Sequence, residues 1–395
     1  MKEHTVVVVG GGYAGIHTVR AVKAESERSG VPVRVVLLDE KAYHLKKVRL
    51  VQAAAVPTEL RVSWEAMFGA GEAAVVQGRC LGVDAAARRV RYAEPDGTER
   101  SLPYDRLVLA LGSVVRGAPE GAGGIALRGE EEAERIRRLV EANLAAAAGE
   151  HDPERRAALA AVVVAGGGIS GVETAAELMK AMKRQAAALA LPVELPRVTL
   201  VLSGNRLVPL MTDGAAERLE AKMRAIGVRI VRNARVARDA GDGFAELSDG
   251  RRLPSGCTIW TIGVDPNPAV RTLGLPTDDA GRLIADARFR VRGGYDTIYA
   301  IGDNAHIVDA AGVEAGMTCR EAIQEAQHLG KVLLADIAGR PAEPYRAATR
   351  QQYCVDLGDG EGFAWIRHWG VDFTVGGALG GKVREYTWNA GSLMK

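Results

Sequence analysis

Two glycine clusters carry the first chemical signal in the chain. They read Gly10-Gly11-Gly12-Tyr13-Ala14-Gly15 and Gly166-Gly167-Gly168-Ile169-Ser170-Gly171. Each follows a short apolar run, Val6–Val9 or Val162–Ala165, and each opens a stretch with helical spacing. In a G-x-G-x-x-G turn the three glycines act separately. The first (Gly10, Gly166) turns the chain sharply out of a strand, and the second (Gly12, Gly168) lets backbone N–H groups approach a diphosphate. The third (Gly15, Gly171) lets the helix pack close to the sheet. The anion then rests at the helix N-terminus, where unpaired N–H groups and the positive dipole end face it. Because both copies sit between a buried strand and a helix, both are read as dinucleotide sites, with Tyr13, Ala14, Ile169 and Ser170 lining them.

The copies differ at the end of the following strand. Asp39 stands there in the first, placed to accept hydrogen bonds from two ribose hydroxyls. The matching strand of the second copy runs Val198–Leu202, so Leu202 occupies the acid's place. Leucine cannot hold ribose hydroxyls, whereas the following Ser203, Asn205 and Arg206 could contact a 2′-phosphate. The expectation is NADPH, or loose binding of either nicotinamide. Arg206 is equally readable as an exposed strand-end residue.

These sites need a scaffold of buried parallel strands, and the chain supplies it. Short β-branched runs alternate with helical stretches, the mark of an α/β protein. The pattern predicts strands at Val6–Val9, Val33–Leu38 and Leu107–Leu111, with an antiparallel excursion over 73–100. Gly149–Pro153 looks like a boundary, and from residue 160 the series restarts. The reading is two Rossmann-like, three-layer ββα domains, the second inserted in the first. They are expected over 1–125 with 280–325 and over 126–279, followed by a small C-terminal α+β domain, 326–395. That last part reads as a helix and Gly-rich strands over 353–387.

Composition narrows the class. The 395 residues are 47% hydrophobic and 25% charged, with a formal net charge of +2. Such balance gives no electrostatic case for nucleic acid or an anionic membrane. No apolar run nears the ~20 residues that span a bilayer. Met1–His4 leads straight into a strand, leaving no room for a signal segment. Cys80, Cys257, Cys319 and Cys354 are scattered, which argues against a disulfide framework or a metal cage. A cytoplasmic protein is expected.

With these residues in hand, the chain resembles the two-dinucleotide-binding-domain flavoproteins of the pyridine nucleotide-disulfide oxidoreductase superfamily. It is most similar to type II NADH:quinone reductases and apoptosis-inducing-factor-like quinone reductases. Besides the glycine turns, the resemblance rests on Leu109-Ala110-Leu111-Gly112-Ser113, Ile262-Gly263 and Tyr299-Ala300-Ile301-Gly302-Asp303. It implies a tightly held FAD in the first copy, with Gly302 and Asp303 at the ribityl chain and Ala110, Gly112, Cys80 and Arg49 as further contacts. NADH or NADPH would enter the second copy beside Gly263, with Glu173 near the nicotinamide. Hydride passes between the rings at the interdomain cleft, and the N-terminus of the helix after Thr318 faces the flavin.

The resemblance is weaker about where electrons go. Tyr43–Arg49 holds no cysteine, which excludes a disulfide reductase. Lys46 and Lys47 read as a solvated face, His44 as either a ring-side donor or a structural histidine, and Cys319 as a small buried hydrophobe. Type II quinone reductases carry an A-Q-x-A-x-Q-like signature where this chain has Ile323–His328. Gln324 matches the first glutamine and His328 replaces the second, one helical turn apart. Both could hydrogen-bond a quinone carbonyl, and His328 could deliver a proton. Membrane-bound relatives end in a long amphipathic tail, which the Tyr386–Trp388 strand leaves no room for. Trp365, Trp369 and Phe373 fit core packing, or an apolar patch for a quinone or for peripheral membrane contact. The expected activity is therefore electron transfer from NAD(P)H through FAD to a quinone-like acceptor or oxygen. A reductase of a small redox protein, a redox-sensing flavoprotein and a biosynthetic oxidase stand as alternatives.

Overall fold

Val6, Val7 and Val8 have no solvent exposure, and they form the middle of a five-stranded parallel sheet. In the computed structural model, which describes residues 2–69, 71–348 and 351–394, this sheet runs Ile298–Ala300, Arg106–Leu109, His4–Val9, Val33–Asp39, Ala74–Gln77. A second parallel sheet runs Ile125–Ala126, Cys257–Trp260, Ala161–Ala165, Arg197–Val201, Arg229–Val231. Strands buried on both faces read as continuous apolar runs rich in valine and leucine, because each side chain meets a covered layer. Burying each such valine contributes roughly 1.5–3 kcal/mol.

The duplication extends beyond the sheets. Each has a three-stranded antiparallel excursion: Arg79–Asp84, Arg89–Ala93 and Glu99–Pro103 in the first, Val236–Asp239, Phe244–Leu247 and Arg252–Pro254 in the second. The two chain crossings between the sheets pair with each other, Ser113–Val115 against Val264–Pro266, beside an Arg116–Asp265 ion pair. Gly149–Pro153 is no boundary. It links two helices, Glu130–Gly149 and Pro153–Leu159, that precede a strand of the second sheet. Asp152 accepts the N–H groups of Glu154 and Arg155, and Pro153 fills the first helical position.

The helix Cys319–Ile337 lies along the first helix, Tyr13–Ser29, and approaches it closely at Gly330. A β-carbon there would stand 2.9 Å from the Ala21 backbone. Beyond it, Gln351–Asp356, Gly362–His368 and Val371–Gly376 form an antiparallel sheet. The segment read as a Tyr386–Trp388 strand belongs instead to a closing helix, Gly377–Gly391. Its glycines suggested a strand. They are needed because the helix lies directly on the sheet: a β-carbon on Gly380 would overlap the Gly362 carbonyl oxygen, and one on Gly381 that of Gly360.

Glu325, in the helix Cys319–Ile337, is 1% exposed, and its carboxylate accepts the Gly302 N–H at 2.7 Å. Burial pushes its pKa from 4.5 up to about 7. A folded value above the unfolded one means stability that is fully present below pH 4.5 and lost as pH rises through about 7, roughly 3 kcal/mol in all. Glu325→Gln keeps an acceptor for Gly302 and removes the charge. Thermal melts are expected to coincide for variant and wild type at pH 4.5, with the variant several degrees more stable at pH 8.

Candidate active site

The first glycine turn is held from three sides. Gly10 has φ +101°, and a β-carbon there would overlap the Ala110 carbonyl oxygen; one on Gly15 would overlap that of Gly10. A β-carbon on Gly12 would meet nothing within 4 Å, so this glycine lies open at the start of the helix. Asp39 accepts the Gly11 N–H at 2.6 Å and the Lys41 N–H at 2.8 Å. Burial raises its pKa against the pull of those two amides. His44 is buried, with Nδ1 2.9 Å from the Gly11 carbonyl oxygen and its ring edge-on to Tyr13. Burial lowers its pKa to about 4, so the neutral ring donates from Nδ1 and braces the turn. Trp64, whose Nε1 donates to the Lys41 carbonyl at 3.0 Å, closes the floor under Gly11.

The ends of the neighbouring strands converge on the same mouth. Ser113 Oγ donates to Asp303 at 2.6 Å, and Lys47 Nζ donates to the Ser113 carbonyl at 2.9 Å. Asn304 accepts the Gly112 N–H and donates to the Leu109 carbonyl, tying together the two strand ends on which Gly112 and Gly302 sit. The reading of Lys46 and Lys47 as a solvated face is corrected: Lys46 is buried, Lys47 is half-buried and bonded, and burial lowers both pKa values. The short strand Tyr43–Leu45 turns them inward against Arg61–Ser63.

The second turn repeats the geometry without its acid. Gly166 has φ +125° and would overlap Thr261 if it carried a side chain, and Gly171 would overlap the Gly166 carbonyl. Gly168 is again open. Val9 pairs with Leu38 as Ala165 pairs with Val201, so Asp39 and Leu202 are equivalent by register. Leu202 is buried 2.7 Å below the position a Gly167 β-carbon would take. Arg206 is paired with Asp213 and donates to the Pro209 carbonyl at 2.8 Å. Gly263, φ +105°, lies between the neighbouring strand Cys257–Trp260 and the crossing strand Val264–Pro266.

Glu173 lies in the first turns of the helix Ile169–Ala188 and is 2% exposed. It accepts the Asp356 N–H at 2.9 Å and forms an ion pair with Arg384 at 2.7 Å, and burial pushes its pKa up to about 7. Arg384 and Arg49 both lie over the Trp388 ring, at 4.9 and 5.0 Å from its centre. The closing helix thus joins Arg49, Glu173 and the C-terminal sheet at one place. Arg384, Trp388 and Asp356 escaped the sequence reading because a segment taken for a strand gave no reason to expect a helix facing the cleft. Asn304 and Glu325 were missed because each acts by bracing a strand end, which leaves no motif, and Ser113, though it ends the Leu109–Ser113 motif, was given no role of its own.

Two candidates stand apart from this cluster. His328 lies between Phe289 and Tyr345, ring centres 6.0 and 5.6 Å away, with Nε2 2.9 Å from the Glu343 carbonyl. It is nine residues from Cys319, about 13 Å along the helix, with Gln324 a turn before it. Cys80 is buried opposite Tyr92 in the first excursion, its thiol pushed up to about 11.

Residues 4–328 match the model of the pyridine nucleotide-disulphide oxidoreductase family. The chain belongs to that family. It is an FAD-dependent oxidoreductase whose hydride source is a nicotinamide dinucleotide. The open turn at Gly12, Asp39 beside it and Asp303 at the converging strand ends fit FAD. The chain is 27% identical over 366 residues to a type II NADH:quinone oxidoreductase of Mycobacterium tuberculosis, 87% of this chain and 75% of that one. It is 26% identical over 355 residues to a demethylphylloquinone reductase of Synechocystis, 86% and 81% of the two. An NDH2 of Plasmodium falciparum, solved with NADH, shares the fold at TM-score 0.80 and 15% identity over 98% of this chain and 94% of its own.

Adding one methyl group separates the two dinucleotide sites. Gly12→Ala has space in the fold, so melts of the flavin-free protein are expected to be unchanged while the purified protein loses its yellow colour. Gly168→Ala is expected to keep the flavin and raise KM for the nicotinamide about tenfold or more.

Proposed function

We propose that the protein is an NAD(P)H:quinone oxidoreductase acting at a membrane surface. The observation that carries the reading is the buried Glu173–Arg384 pair, set against Trp388 and Arg49. FAD, when bound, supplies the chemistry: it takes hydride from the nicotinamide and releases the electrons to the acceptor. The chain's residues position and polarise. Thr318 caps the helix Cys319–Ile337, accepting the Glu321 N–H and donating to the Glu321 carboxylate at 2.7 Å. A capped helix N-terminus favours negative charge in front of it. Cys319 begins that helix and is exposed, which corrects its reading as a small buried hydrophobe; desolvation by the protein around it raises its pKa, with Asp303 adding negative charge, so the dipole supplies no reactive thiolate. In this reading the electrons go to a diffusible acceptor.

Either nicotinamide can enter the second site in this reading, and a 2′-phosphate meets no acid at the strand end, although Arg206 is held by Asp213 and the Pro209 carbonyl. Leu202 offers no acceptor to ribose hydroxyls, and the residues after it, Ser203, Asn205 and Arg206, include no carboxylate. Stopped-flow mixing tests both statements. NADPH is expected to bleach the flavin faster than NADH at equal, subsaturating concentration, and a ubiquinone analogue to restore the colour. Leu202→Asp should reverse the order. No bleaching by either nicotinamide, or no reoxidation by quinone, would refute the reading.

A lipid-soluble acceptor requires a face towards lipid. No described helix is long and apolar enough to cross a membrane. The C-terminal sheet instead divides by face. Trp365 is fully buried and stacked on Tyr353, while Trp369 at the hairpin tip is 90% exposed. Ile366 pairs with Phe373, and Val371 and Val375 share the same outward face, beside Leu379 and Tyr386 of the closing helix. Such a patch suits the headgroup boundary. The protein is expected to float with phosphatidylcholine–phosphatidylglycerol vesicles, and the double variant Trp369→Ser, Phe373→Ser to remain in solution with its flavin retained.

A further inference from the structure

Behind Glu173 lies a second pair of buried acids that neither dinucleotide site uses. Glu177 is one helical turn after Glu173 on the same face, and the two are 3% and 2% exposed. Asp356, at the end of the strand Gln351–Asp356, is 6% exposed. Three carboxyl groups thus share one enclosed space, and among the described residues the only cation bonded to any of them is Arg384, on Glu173. Lys180, the next cation along, is bonded to the Gly358 carbonyl and to Glu361. Three negative charges against one positive charge do not persist out of water, so the group must hold a proton.

The hydrogen bonding shows where. Asp356 Oδ2 is buried with no N–H or hydroxyl donor among the described residues. The Glu177 carboxyl faces Asp356, and its pKa is raised by burial and by that neighbour. A protonated Glu177 supplies the donor that Asp356 lacks. The surrounding groups do not replace it: Glu173 and Asp359 add negative charge, Cys354 is half-buried with its pKa raised by burial, and Asp359 is paired with Arg184 at the surface. Outside the pair the cover is thin. The turn Leu357–Glu361 passes over Glu177 with Gly358, whose absent β-carbon would stand 3.2 Å from Glu177 Oε2, and the next residue, Asp359, is exposed.

We infer that Glu177 and Asp356 hold one exchangeable proton and pass it through Glu173 to the acceptor, being refilled from solvent across the Gly358 turn. This rests on the quinone-reductase reading. Reducing a quinone to hydroquinone takes two electrons and two protons, and hydride from the nicotinamide brings both electrons and one proton. The pair supplies the second to a quinone oxygen, the nicotinamide is left oxidised, and one solvent proton restores Glu177. Glu177 and Asp356 act through Glu173 and touch no substrate, so they are positioning and relay residues.

The test divides the reaction in two. Glu177→Gln keeps a donor for Asp356 and loses the transferable proton. In holoenzyme, flavin bleaching by NADPH is expected within about twofold of wild type, while reoxidation by a water-soluble ubiquinone analogue slows about tenfold or more and loses the alkaline limb of its pH profile. Infrared spectra of the wild type should show a protonated-carboxyl C=O band that shifts in deuterium oxide and is missing from the variant. If Glu177→Gln does not fold as a yellow protein, Asp356→Asn is put through the same two half-reactions, and slow reoxidation with normal bleaching is again expected. Reoxidation at the wild-type rate and pH profile in a folded variant, or no protonated-carboxyl band in the wild type, would overturn the inference. Failure of wild-type bleaching would instead strike the quinone-reductase reading.

Discussion

At two points in this molecule a helix begins so close to the strand before it that no side chain fits between them. At Gly15 and Gly171 a single methyl group would collide with the carbonyl of the glycine that starts the turn. That contact fixes where each helix N-terminus lies relative to its sheet, and hence where a diphosphate can rest. The other site features are arranged about these two fixed points. Asp39, His44 and Trp64 brace the first turn, and Ser113, Asn304 and Glu325 hold the two strand ends beside it. The crossing strands Ser113–Val115 and Val264–Pro266 then join one sheet to the other.

The duplication also explains how one fold serves a retained and an exchanged dinucleotide. In register the copies differ by one decisive residue, Asp39 against Leu202. A carboxylate that accepts two backbone amides is already oriented for a ribose. A leucine packed beneath the turn holds the backbone in shape and offers no polar contact. The first copy also gains the Gly302–Asp303 element from later in the chain, and the helix Cys319–Ile337 lies against its first helix.

Much of this was legible in the sequence, for physical reasons that vary along the chain. The parallel sheets and glycine turns were readable because continuous β-branched runs and three spaced glycines have few other uses. The equivalence of Asp39 and Leu202 followed from counting along paired strands. The closing helix was not readable: glycines at 377, 380 and 381 lower helix propensity, and only the sheet beneath shows that close packing demands them. Arg384, Trp388 and Asp356 were hidden with it. His328 shows the opposite failure, since its spacing from Gln324 suggested a joint role while the fold gives its ring two aromatic neighbours and a backbone carbonyl. Spacing along one helix says which residues share a face but not what that face meets.

The central claim is that the first glycine turn holds FAD tightly, one per chain. The direct measurement is the absorbance spectrum of the protein purified without added flavin, with the released chromophore identified after denaturation. The expected result is an oxidised-flavin spectrum and FAD at one equivalent. A colourless protein that also fails to take up FAD on reconstitution would contradict the account at its base.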